Sequence, residues 1–293
     1  MSVICFGEIL IDRFPKKDLP GGAPMNVAYH LNQMGAEAYI ISRIGNDKPG
    51  EKLRDFLHKR HMSDALLQVD AEHPTGVVQV DSSNASEVKY TIVESVAWDY
   101  IDSAPLLTSA LTKDAQYLVH GSLALREAHN RQTLKKLKEI SGPRVVFDVN
   151  FREPYYEKES ILEWMSDANI VKMNEDEFEQ MAAWIGITND KQGLDDLLMQ
   201  MPKIEWVVIT RGGAGAWLKS RHEFVKDPGV PVKVEDTVGS GDTFLAGLIY
   251  GLQKGHEARK ALHFACKAGA FVATQEGACP RYTIDHIESF GVN

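Results

Sequence analysis

Asp236-Thr237-Val238-Gly239-Ser240-Gly241-Asp242-Thr243-Phe244-Leu245 gives this chain its reading. Two glycines and two small hydroxyl residues occupy 236–241, and an amphipathic segment follows at once. Phe244, Leu245, Leu248, Ile249 and Leu252 share one helical stripe, and Gly255 suits a C-terminal stop. A glycine turn therefore feeds the N-terminus of a buried helix. Free backbone N–H groups and the positive end of the helix dipole make that junction a ready anion site. Asp242 sits at the helix start. A carboxylate there is commonly a helix cap. With a phosphate in the turn and a hydroxyl alongside, the same carboxylate can take a nucleophile's proton in phosphoryl transfer.

Upstream, short apolar runs rich in β-branched residues recur at Val3–Phe6, Ala38–Ser42, Tyr117–His120, Val145–Val149, Ile170–Met173 and Val207–Thr210. Stretches of helical period lie between several of them. Met25, Ala28, Leu31 and Asn32 precede a stop at Gly35, and Leu134, Leu137 and Ile140 precede Gly142. This alternation predicts a parallel sheet covered by helices on both faces, with ligands collecting beyond the C-terminal ends of the strands. Thr75–Trp98 breaks the pattern. Val77–Val80, then Ser82-Ser83-Asn84, then Val88–Val93 read as a hairpin outside the main sheet, either a lid over a substrate or a plain edge hairpin.

Composition excludes several function classes. The chain has 293 residues, 44% hydrophobic and 25% charged, with a formal net charge of -9 and no basic run. Nucleic-acid binding, which needs clustered cations, is not expected. Cys5, Cys266 and Cys279 are too few and too scattered for a disulfide framework or a zinc knuckle, which points to a reducing cytosol. Glu8 and Asp12 interrupt the first apolar stretch, so no signal peptide is read there. No apolar run is long enough for a membrane span. Familiar nucleotide motifs are missing as well. There is no P-loop, position 244 is Phe where a dinucleotide fingerprint needs its third glycine, and the protein-kinase motif set is absent.

The segment Asp236–Phe244 closely resembles the C-terminal signature of the ribokinase-like (PfkB) carbohydrate kinases. A second signature matches at Gly21-Gly22-Ala23-Pro24-Met25-Asn26-Val27-Ala28, with Gly45-Asn46-Asp47-x-x-Gly50 after it. The resemblance extends over essentially the whole chain. It implies a single ribokinase-like kinase domain over 1–293, a three-layer α/β/α sandwich with a small β-strand lid built from about 10–20 and 75–98. It further implies ATP and Mg2+ as cofactors, Asp242 as the catalytic base, and the N–H groups of Gly239, Ser240 and Gly241 as stabilisers of the migrating charge.

The other motifs gain roles from the same resemblance. Asp12, Gly22 and Asn26 become part of a sugar site, where a carboxylate accepting two hydroxyls discriminates isomers. Arg152, in Asp148-x-Asn150-x-Arg152, becomes a ligand for a phosphate oxygen or an anomeric hydroxyl, although an ion pair with Asp148 is the plain alternative. Asn174 and Glu177 match the family's Asn-x-x-Glu motif, with Glu177 acting on hydrated Mg2+ through water. Glu175 and Asp176 read simply as dipole partners of a helix expected over Glu177–Trp184. Thr210, Gly212 and Gly215 lie in a glycine-rich turn that is most often a hairpin when met alone. In this family it contacts ATP, with adenine near the His263–Ala270 helix. A potassium site is implied at Asp236 and Val238, with backbone oxygens from the region of Val272, Gln275 and Gly277.

For the substrate, Gly7-Glu8-Ile9-Leu10-Ile11-Asp12, the Ala23-Pro24 form of the glycine motif and Trp98-Asp99 look like fructokinases. Ribokinases carry Lys at position 23, and this chain departs from them. The expectation is phosphorylation of fructose at its 6-hydroxyl. The alternatives are ribose, 2-keto-3-deoxygluconate, another hexose or a nucleoside. A non-catalytic sugar sensor would have lost Asp242 or its glycines, and all are present. A cytoplasmic homodimer joined through the lid completes the expectation, with no membrane partner.

Overall fold

The computed structural model describes residues 2–15, 17–81 and 89–291. Thirteen strands are present among them: β1 (Ser2–Phe6), β2 (Leu10–Arg13), β3 (Asp18–Gly21), β4 (Glu37–Gly45), β5 (Leu67–Asp70), β6 (Val77–Asp81), β7 (Lys89–Ile92), β8 (Ala115–His120), β9 (Arg144–Asp148), β10 (Ile170–Asn174), β11 (Trp206–Thr210), β12 (Ala216–Lys219) and β13 (Phe224–Asp227). Nine form one sheet in the order β13-β12-β11-β10-β9-β8-β1-β4-β5. It is parallel from β11 to β5 and ends in an antiparallel β11-β12-β13 edge.

Both faces of this sheet are buried. Val3 and Cys5 pack with Met25, Leu31, Leu245 and Ile249, whereas Ile4 and Phe6 pack with Leu134, Leu137 and Phe178 on the opposite face. Alternate side chains thus enter separate cores, which is why the strands read as continuous apolar runs. The three-layer α/β/α sandwich expected from the sequence is present. The six apolar runs form β1, β4, β8, β9, β10 and β11. The periodic stretches form the helices Ala23–Gln33 and Ala128–Ser141. β5, β12 and β13, four residues each, escaped sequence reading because such short strands carry mixed polar and apolar side chains.

The remaining strands form a second, mixed sheet in the order β3-β2-β6-β7. β6 and β7 are an antiparallel hairpin in which Val78 faces Ile92, and β2 joins β6 in parallel. The expected turn at Ser82-Ser83-Asn84, and Val88, lie outside the described residues. The strands also stop earlier than about 98: β7 ends at Ile92, and Ala97–Tyr100 is a short 3-10 turn. Trp98 in that turn is buried beneath the Arg126 guanidinium, 4.2 Å from the ring centre, and packs at the root of the small sheet. Asp47 anchors this root. It accepts hydrogen bonds from Gly50 N (2.8 Å), Thr75 N (2.8 Å) and Thr75 Oγ1 (2.6 Å). Among the described residues no helix is long and apolar enough to cross a membrane.

Candidate active site

The helix behind Asp242 runs from Ser240 to Gln253, and Gly239 is its N-cap at φ 78°. That left-handed conformation favours glycine, and a Cβ at Gly239 would lie 2.8 Å from Ala278. Asp242 is therefore the third residue of the helix and not its cap. Its Oδ2 instead accepts a hydrogen bond from Asn26 Nδ2 at 2.7 Å, and Cys279 Sγ donates to Asn26 Oδ1 at 3.3 Å. Asn26 comes from the first turn of Ala23–Gln33, so two helix N-termini meet at this carboxylate. Of the three N–H groups expected to face an anion, that of Ser240 is directed at Thr237 O (3.2 Å). Those of Gly239 and Gly241 find no backbone acceptor among the described residues.

Burial pushes the Asp242 carboxyl from its ordinary 3.8 to about 6. The Asn26 hydrogen bond pulls it down, the Asp148 charge pushes it up, and Lys172 and Arg152 pull it down. A carboxyl near neutrality, bonded on one oxygen and partly exposed, is suited to accept a proton from a hydroxyl.

On one side of Asp242 the cleft is made of ionisable side chains. Asp12 lies within β2 of the small sheet, inside the 10–20 segment from which the lid strands were expected. Burial lifts its carboxyl from 3.8 to about 6 against the pull of Arg152. Gly22 holds φ 115°, and a Cβ there would lie 2.4 Å from Glu8 O, so the chain passes β1 closely before the helix begins. Arg152 does not pair with Asp148. It is exposed and donates only to Phe151 O (2.9 Å) among the described residues, while its charge acts on Glu8, Asp12 and Asp242. Asp148 is taken by Lys172, whose Nζ lies 2.8 and 2.9 Å from its two oxygens. Burial disfavours the ammonium, yet Asp148 and Glu177 outweigh it and hold the Lys172 pKa above its usual range.

On the other side a cavity of 220 Å³ runs from Thr210, Gly212 and Gly215 to Ser240 and Gly241. The glycine-rich turn at Gly212–Gly215 is the β11-β12 hairpin as well as a wall of this cavity. The helix Ala258–Ala273 supplies the facing wall through Gly269 and Ala270, within the region where the base was expected. Asn174 and Glu177 close a capping box: Asn174 Oδ1 accepts from Glu177 N (2.8 Å) and Glu177 Oε2 from Asn174 N (2.8 Å). This box starts the helix at Glu175, two residues before the expected start. Glu177 Oε1 also accepts from Phe151 N (3.0 Å), which pins the Arg152 loop.

The implied cations can be tested against these donors. Among the described residues no group of three or more His, Cys, Asp or Glu could hold a metal. Glu177 uses each oxygen once and keeps a lone pair on each, which fits a hydrated Mg2+ held mainly by phosphate oxygens and water. Asp236 accepts from Val238 N (3.0 Å) and Gly277 N (3.1 Å), drawing the 236–238 and 273–277 segments together. Two converging loops with carbonyls to spare fit a monovalent cation bound by backbone oxygen.

Lys172, Glu8 and Cys279 went unassigned in the sequence reading. Lys172 and Glu8 did leave a signal, a charge inside or just after an apolar strand run. Cys279 left none, since its place beside Asn26 depends on a contact across 253 residues.

A model of the pfkB family of carbohydrate kinases matches residues 2–284. The chain is 28% identical to the fructokinase of Salmonella typhimurium, covering 94% of each chain. It is 28% identical to probable fructokinase-7 of Arabidopsis thaliana, over 95% of this chain and 88% of that relative. It superimposes with a TM-score of 0.86 on a double mutant of the Vibrio cholerae O395 fructokinase bound to fructose, ADP and a potassium ion, at 25% identity over 99% of this chain and 98% of the other. The architecture, two signatures around one carboxylate and a family match over nearly every residue lead to one assignment: the chain belongs to the pfkB family of carbohydrate kinases, with the ribokinase-like fold.

Proposed function

We propose that this protein is an ATP-dependent fructokinase that transfers the γ-phosphate of ATP to the 6-hydroxyl of D-fructose. One observation carries the reading. The Asp242 carboxylate, held by Asn26 at 2.7 Å, stands at a helix N-terminus between a cavity lined by Gly212, Gly215 and Gly241 and a cluster of ionisable side chains. The fructokinase relatives support the choice of sugar.

In this reading Asp12, with the Gly22 turn and Asn26, holds the sugar hydroxyls, and Arg152 binds an anomeric hydroxyl or a phosphate oxygen. Asp242 takes the proton of the primary hydroxyl as that oxygen attacks in line. The N–H groups of Gly239 and Gly241, and that of Ser240 if it leaves Thr237, stabilise the developing charge. Thr210, Gly212, Gly215 and Asn174 hold the nucleotide. Glu177 would hold Mg2+ through water, where the ion would neutralise phosphate charge, and the Asp236 and Val238 segment would hold K+ that would steady the anion turn. The small sheet serves as a lid within one kinase domain, excluding water to limit ATP hydrolysis. Three free cysteines support a cytoplasmic location. Pairing of two copies through the lid is part of the same reading, and a monomeric sedimentation profile at working concentration would reject it.

An ADP-release screen over fructose, ribose, 2-keto-3-deoxygluconate and nucleosides tests the substrate. The highest kcat/KM is expected for fructose, and a strong rival beside an inactive fructose sample overturns that choice.

A further inference from the structure

Glu8 is the buried acid of this site that the reaction leaves unused. It follows β1 and is 4% exposed. Its carboxylate accepts from its own N–H and from that of Ala23, the first residue of the helix carrying Asn26. Its other oxygen, Oε2, is buried and has no hydrogen-bond partner among the described residues. An unpaired buried carboxylate oxygen is costly and demands an explanation. The charged groups facing it are Arg152, from the loop after β9, and Asp242, from the helix Ser240–Gln253. The helix Ala23–Gln33 offers it only the Ala23 N–H. Arg152 alone has the opposite sign.

Arg152 has a complementary deficit. Its guanidinium is exposed and its hydrogen bond goes to the carbonyl of its own neighbour, Phe151. The backbone beneath is pinned by Phe151 N–H on Glu177. A guanidinium presents five donors in a planar fork and can serve two carboxylates at once.

Building on the sugar-kinase reading, we propose that Glu8 is a positioning residue whose free Oε2 receives the Arg152 guanidinium when sugar binds. The fork then spans Glu8 and Asp12 and fixes the Asp12 carboxylate against the sugar hydroxyls. Burial holds the Glu8 carboxyl at about 7, against an ordinary 4.5. A guanidinium brought into contact lowers that value, so sugar binding near pH 7 releases a proton from Glu8.

Calorimetry with wild type, Glu8→Gln, Arg152→Gln and the double variant tests this, using fructose or the sugar that the activity screen selects. Gln keeps an acceptor for Ala23 N–H, so the fold is retained. Glu8→Gln is expected to weaken sugar binding about 10-fold and to abolish proton release measured in buffers of different ionisation enthalpy. The double variant is expected to bind no more weakly than Arg152→Gln alone. Additive losses, or a lowered Tm with unchanged sugar affinity and unchanged proton release, overturn the proposal and assign Glu8 to the helix N-terminus. A wild type that binds none of the sugars overturns the kinase reading and this proposal together. A wild type that binds sugar no better than Glu8→Gln overturns this proposal alone.

Discussion

The two sides of the cleft are made of different material. The wall from Thr210 through Gly212 and Gly215 to Gly241 carries no ionised side chain: it is glycine, small hydroxyl residues and apolar groups such as Val232, Phe244 and Ala270. The wall of Glu8, Asp12, Asn26 and Arg152 is polar and ionisable side chains, and burial raises the Glu8 and Asp12 carboxyls to about 7 and about 6. Backbone dipoles bind a phosphate whatever it is attached to, and they need close approach more than identity. Carboxylates discriminate among hydroxyls, because a misplaced hydroxyl leaves a buried acceptor unpaired. Asp242 stands where the two materials meet.

Substitutions on each side test this division. Asp242→Asn removes the proposed base and is expected to lower kcat by about 10²–10⁴-fold with sugar and ATP affinities little changed. An ADP-release assay at saturating substrates measures it, and wild-type turnover would remove Asp242 from the chemistry. Asp12→Asn, on the charged side, is expected to raise KM for the sugar roughly 10- to 100-fold with KM for ATP within about twofold. Equal rises in both constants would erase the distinction between the walls. Gly239→Ala belongs to the other side. Strain of about 1–3 kcal/mol at φ 78° and the approach to Ala278 at 2.8 Å should shift the anion turn. Loss of ATP affinity exceeding loss of sugar affinity is the expected pattern in steady-state kinetics.

The raised carboxyls also predict pH behaviour. Asp242, as the proposed base, must be ionised, so kcat is expected to rise as pH climbs through about 6. Stability runs the opposite way. The folded protein holds the Asp242 proton more tightly than the unfolded chain, so its contribution is complete below pH 3.8 and is lost as pH rises through about 6. Asp242→Asn should therefore raise Tm at pH 7.5 and change it little at pH 4. An equal gain at both pH values would detach the effect from ionisation. The smallest effect is expected at Lys17, beside β2, which meets Glu276 at 2.8 Å from the loop opposite. Both side chains are exposed and screened, so Lys17→Ala should leave Tm and KM nearly unchanged. A large rise in sugar KM would make this contact a latch between the small sheet and the 273–277 loop.

Much of this architecture is legible in the amino-acid sequence. Apolar runs buried on both faces need no partner to be recognised, so β1, β4, β8, β9, β10 and β11 stand out, and the glycine turn before an amphipathic stripe marks the anion site. β5, β12 and β13 do not, because four residues of mixed polarity give no continuous apolar signal. The site divides the same way. Asp242 is visible from its neighbours in the chain, but its dismissal as a cap requires the third-residue position, and its grip by Asn26 spans 216 residues.

By itself the sequence determined the layer order, the glycine turn and the family, since these rest on local periodicity and short-range backbone geometry. Only the tertiary structure decided that Asp148 pairs with Lys172 and leaves Arg152 free, and that Glu8 lies buried with one oxygen unmatched. Those are matters of which charges share a desolvated space, and desolvation is set by atoms distant in the chain.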